Sequence, residues 1–65
     1  MRYEITVIGV YRNSRKKILQ VGYVPNKPTR PTIEKIAGGW KDFRFHSIAV
    51  NVKDTESHYE ANYII

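Results

Sequence analysis

The densest concentration of chemically capable side chains is a run of cations at Arg12, Arg15, Lys16 and Lys17, with Tyr11 and Tyr23 nearby as stacking groups. Cations gathered on a projecting segment neutralise phosphates and release their counterions. Arginine also reads guanine edges in a bidentate manner, and a two-stranded ribbon fits a DNA major groove. Lys27 and Arg30 lie further along and extend the candidate anion-binding set.

The other reactive residue types do not assemble. His46 and His58 are the only two histidines. In the hairpin expected there, the residue opposite His46 falls near position 62 or 63, so the two imidazoles do not meet, and no third metal ligand is evident. Ser47 and Ser57 each adjoin a histidine, but neighbours in a strand point to opposite faces. The carboxylates Glu4, Glu34, Asp42, Asp54, Glu56 and Glu60 are scattered. Gly38-Gly39 reads as a helix stop, so its amides point the wrong way for a phosphate cradle. The expectation is a binding module rather than an enzyme, with no cofactor and no metal.

Charge supports the same reading. The chain has 65 residues and a formal net charge of +5. Residues 1–30 hold seven cations against Glu4 alone, whereas residues 31–65 come to −1. Such asymmetry points to a partner of opposite sign. The length allows one domain, residues 1–65, and a core near the lower size limit for independent folding. With no cysteine, neither a disulfide nor a thiolate metal site supports it. No apolar run approaches the roughly 18 residues of a membrane span, and the opening residues lack a signal-peptide core. A cytoplasmic location is expected, inside a host cell if the protein is viral, with no membrane partner.

These side chains need a scaffold, and the hydrophobic pattern supplies one. Tyr3, Ile5, Val7 and Tyr11 alternate with Glu4, Thr6, Ile8 and Val10, predicting a strand over 3–11 whose two faces are both apolar near the middle, which suits a central strand or a bulge near Gly9. Asn13 and Ser14 favour a loop of about four residues. A second strand follows over 17–24, with Leu19, Val21 and Tyr23 as its better apolar face. Pro25, Pro28 and Pro31 end it and form a stiff crossover. Ile33, Ile36, Ala37 and Trp40 share one face of a short helix over 31–38, with Pro31 in its first turn and Thr29 or Arg30 in the cap region. Gly38-Gly39 is expected to end that helix in the left-handed conformation, and Trp40 to cap the core beneath.

The third strand is placed over 43–52. The apolar phase changes from Phe43 and Phe45 to Ile48, Val50 and Val52, implying a slip at His46-Ser47 and a regular strand from about Ser47. A polar turn at 53–56 leads to a fourth strand over 57–64, with Tyr59, Ala61, Tyr63 and Ile65 on one face. The order is ββαββ: an α+β, two-layer fold with a four-stranded, mainly antiparallel sheet and one short helix on one face.

One short helix cannot cover four strands, so part of the sheet, bearing Ile8, Val10, Tyr3 or Tyr63, is expected to stay open. A homodimer is expected, with Tyr59, Tyr63, Ile64 and Ile65 at a protein interface. Three functions remain open from the residues. The first is nucleic-acid binding through the tip 12–17. The second is a small viral or accessory inhibitor that engages an acidic or strand-accepting protein through an open sheet face or edge, with aromatic anchors such as Trp40 and Tyr59. The third is a ligand-binding or enzymatic site at a homodimer cleft.

Overall fold

The structure, a computed structural model, describes residues 2–41 and 44–65. It holds β1 (Tyr3–Val10), β2 (Lys16–Val24), α1 (Arg30–Gly38), β3 (Ser47–Asp54) and β4 (Glu60–Ile64). The expected ββαββ order and α+β class are present. The strands form one antiparallel sheet in the order β2-β1-β3-β4. Both central strands are rich in β-branched residues, which suit a pleated surface packed from above.

The core lies between α1 and the inner face of the central strands. Ile5 and Val7 of β1, Ile48, Val50 and Val52 of β3, and Ile33 and Ala37 of α1 are buried together. In register, Ile5 stands opposite Val52 and Val7 opposite Val50. Ile33 and Ala37 are four residues apart, so one stripe of the helix lies on the sheet while Glu34 and Lys35 face solvent. At nine residues, α1 depends on that packing to stay helical.

Several local features differ from the sequence expectation. The bulge sits on β2, at Leu19: Val7 pairs with Gln20 and Ile8 with Ile18, so Leu19 is the extra residue. The pairing of Tyr3 with Val24 and Ile5 with Gly22 turns Val24 and Gly22 inward, leaving Val21 and Tyr23 exposed on the opposite side. The face of β2 expected to be the better buried one is therefore mostly the outer one, with Leu19 alone recovered against the core by the bulge.

The end of α1 also differs. Gly39 is right-handed, at φ −67°, and no glycine has positive φ among the described residues. The helix tightens instead: the Trp40 amide donates to the Ala37 carbonyl at 3.0 Å, a three-residue step that satisfies a terminal carbonyl without a left-handed residue. Trp40 is outside the core. Its indole N–H donates to Gln20 Oε1 at 3.0 Å across the top of β2.

The slip at His46-Ser47 is present, and β3 begins at Ser47. Phe43, expected at the start of that strand, lies outside the described residues. β3 runs on to Asp54, and β4 begins only at Glu60, so the turn is later than the expected 53–56. Ile48 exchanges backbone hydrogen bonds with Ile65. His46 therefore lies beyond the end of β4 rather than opposite 62 or 63, and its amide donates to the Val10 carbonyl at 2.7 Å.

Among the described residues, Asp54 is the one buried charged residue, 4% exposed. Arg2 donates to it through Nε at 3.1 Å and Nη2 at 3.0 Å, and the Glu56 amide donates to Oδ1 at 2.9 Å. The Arg2 hydrogen bonds, followed by that amide, hold the Asp54 carboxyl at about 2. A carboxyl held below its unfolded value, about 3.9, stabilises the fold above that value and loses the contribution as pH falls through about 2. In urea unfolding from pH 5 downward, Asp54→Asn is expected to start less stable and to lose less stability between about 4 and about 2 than the parent chain. Equal acid sensitivity in the two proteins would contradict this assignment.

Among the described residues, no element covers the face of the sheet turned away from α1. Aligned residues run across it in rows: Tyr23, Glu4, Lys53 and Glu60; then Val21, Thr6, Asn51 and Asn62; then Ile18, Ile8, Ala49 and Ile64. Ile8 and Val10 lie on this open face as expected. Tyr3 and Tyr63 lie on the helix side, packed against the core.

Candidate nucleic-acid interface

The β1–β2 connection spans residues 11–15, in keeping with the expected loop of about four. The Ser14 amide donates to the Tyr11 carbonyl at 3.0 Å, and the Tyr11 amide to the Arg15 carbonyl at 2.8 Å. Asn13 Oδ1 accepts the Arg15 amide at 3.1 Å, a local side-chain turn that explains Asn at this position. Ser14 takes φ 71°, in the left-handed region. Closed this way, the loop and the start of β2 present Arg12, Arg15, Lys16 and Lys17 to solvent, all four exposed, with Lys16 beside Val10 on the open face. Among the described residues none of the four pairs with an acid; the ion pairs present are Arg2–Asp54 and Arg30–Glu34.

Beside this tip, a groove of about 300 Å³ opens between the start of β2 and the segment after α1. Its lining includes the aromatic rings of Tyr11, Trp40 and Phe45 and the cations Lys17, Lys41 and Arg44. Tyr11 and Phe45 stand 5.1 Å apart at a tilt of 46°, and the Arg44 guanidinium lies 6.0 Å from the Phe45 ring. The described lining residues include no acid. The bulge at Leu19 turns Lys17 to the helix side, where this groove lies. Gly9 admits Phe45: a Cβ built there would stand 2.5 Å from the ring.

Lys27 and Arg30 are not part of this constellation. They follow the far end of β2, which at about 3.3 Å per residue is about 23 Å from Lys17. Lys27 Nζ lies 4.4 Å from the Tyr59 ring centroid, and the Arg30 guanidinium 5.8 Å from that of Tyr63. The Tyr59 hydroxyl raises the Lys27 pKa, and Lys27 lowers that of Tyr59 in turn. Arg30 also pairs with Glu34 at 3.3 Å.

The expected interface set Tyr59, Tyr63, Ile64 and Ile65 is also divided. Tyr63 and Ile65 pack against the core, Tyr59 lies under Lys27, and Ile64 alone reaches the open face. Alternation along β4 separates Ile64 from its neighbours. His46 and His58 sit at opposite ends of the β3–β4 pair, and no three metal-ligating side chains converge among the described residues. No helix among the described residues is long and apolar enough to cross a membrane.

Lys41 and Arg44 of this groove are not among the residues the sequence singles out, and Phe45 is read there only as an aromatic anchor for a protein partner. The available signal was local: cations and aromatic residues interleave from Trp40 to Phe45. Nothing in that stretch alone reveals that it closes against Tyr11 and Lys17, 23 or more residues earlier in the chain.

No family model, curated protein or solved structure matches this chain.

Proposed function

We propose that the protein is a non-catalytic module that binds single-stranded nucleic acid at the β1–β2 tip and the groove beside it. The observation carrying this reading is the adjacency of four exposed cations, none with an acid partner among the described residues, to a groove lined by aromatic rings and further cations. Stacking rings on a basic track are how sequence-tolerant single-strand sites work: each base offers a π-face and each phosphate a charge. In a duplex those faces are already stacked, so the groove favours unpaired bases.

Trp40 is the only tryptophan and lines the groove, so its fluorescence reports occupancy at the site itself. Titration with an oligothymidylate is expected to quench it, with affinity falling steeply as salt rises. On single strands each lost phosphate contact flattens the log–log salt slope by about 0.7. Arg15→Ala, Lys16→Ala and Lys17→Ala combined are therefore expected to flatten it by about two. All three side chains are exposed, so circular dichroism should be unchanged. An unmoved Trp40 signal, a salt slope untouched by the triple change, or tighter binding to duplex would each overturn the reading.

A further inference from the structure

We propose that two copies of this chain pair face to face through the helix-free side of the sheet, about a two-fold axis parallel to the strands. Four of the most exposed large apolar side chains lie on this face: Ile18 and Ile64, each 64% exposed, with Val21 at 51% and Tyr23 at 53%. The row Ile18–Ile8–Ala49–Ile64 is apolar across all four strands, from one sheet edge to the other.

The occupant is indicated by the way the rows complement themselves. Packed sheets align their strands within about 30°. An axis along the strands, midway between β1 and β3, sets β1 over the partner's β3 and β2 over its β4. Ile18 then meets the partner's Ile64, and Ile8 meets the partner's Ala49. In the charged row, Glu4, whose Oε2 already accepts the Tyr23 hydroxyl of its own chain at 2.7 Å, meets the partner's Lys53. Each match occurs twice, as an isologous interface requires. The other aligned two-fold, across the strands, reverses the row order. It would set Ile8 and Ile64 against the polar row of Thr6 and Asn62 and leave Glu4 near Val10. Centred on the apolar row instead, that axis stacks Ile8 on the partner's Ile8 and Ile64 on the partner's Ile64 but leaves Glu4 and Lys53 unmatched. The first arrangement alone matches the apolar and charged rows together, with Val21 against the partner's Asn62.

The face is also large enough. Four strands about 4.8 Å apart, with residues rising about 3.3 Å each, give roughly 400–500 Å² per copy. Two copies bury roughly 800–1,000 Å², in the range of a weak, reversible interface.

Light scattering on the full chain is expected to give twice the 7.6 kDa chain mass. Ile18→Lys combined with Ile64→Lys is expected to give a folded monomer, since both side chains are already exposed in the single chain. The sharper test leaves the apolar row intact. Glu4→Lys places two cations in the charged row and Lys53→Glu adds a third acid there, so each variant repels its own copy. Mixed in equal amounts, they are expected to form the mixed dimer by native mass spectrometry, because cation then meets acid at both central positions. A wild-type monomer, a dimer that survives the isoleucine changes, or variants that fail to prefer the mixed dimer would each overturn the proposal.

Discussion

Replacing Ile33 with alanine is expected to unfold a large part of the population at physiological temperature. Ile33 is completely buried, the anchor of α1 on the central strands. Truncations of this kind cost about 2–5 kcal/mol, because the lost transfer energy is joined by a cavity that neighbours fill only in part. A chain of this length has roughly 3–10 kcal/mol of total stability. The helix adds to the risk: with its anchor weakened, nine residues cannot remain helical alone, and the inner face of β1 and β3 becomes wet. In a domain this small each kcal/mol shifts the midpoint by about 4–8 °C, so a fall of 10 °C or more in a circular-dichroism melt is expected. Lys35→Ala, on the exposed side of the same helix, should stay within about 0.5 kcal/mol of the parent. Equal melts for Ile33→Ala and Lys35→Ala would refute the packing described.

Gly9→Ala is expected to destabilise the chain although it removes a glycine from a strand. Ordinarily such a change gains about 0.5–1 kcal/mol from reduced backbone freedom. Here the new Cβ would stand 2.5 Å from Phe45 Cε1 and 2.6 Å from Cδ1, closer than side chains approach. Phe45 packs on the core and against Tyr11 at 5.1 Å, so it can yield only toward the groove it lines. Overpacking of this sort costs about 1–3 kcal/mol. Phe45→Leu should relieve much of that clash, so the double variant is expected to be more stable than the two single effects predict. The groove beside the tip changes shape with Phe45, so Gly9→Ala should also weaken oligothymidylate binding. A stabilised Gly9→Ala chain would mean that Phe45 does not lie over β1.

How far the residues announce this arrangement depends on the range of the interaction. The alternation from Tyr3 to Val10 and the helical spacing of Ile33, Ile36 and Ala37 are local, and both elements form where the pattern predicts them. The change of phase at His46-Ser47 likewise marks the start of β3. β2 was harder to read because Ile18, Leu19, Val21 and Val24 make both its faces apolar; which turns inward is decided by pairing with β1, across the loop. Asp54 reads as a turn residue until Arg2 arrives from the other end of the chain. The tip cations were legible as a cluster, whereas the groove needs Trp40 and Phe45 to close against Tyr11.

The single extra residue at Leu19 has a consequence for how this surface can change. It inverts the phase of the edge strand partway along, so Lys17 and Gly22 share one side while Ile18 and Val21 share the other. One codon gained or lost there would exchange the sides on which the strand's first residues appear, moving positive charge into the oily row and grease into the anion track. The proposed dimer face and the proposed nucleic-acid groove would both be disrupted, so a one-residue indel at this point is expected to be a far harsher change than any nearby point substitution.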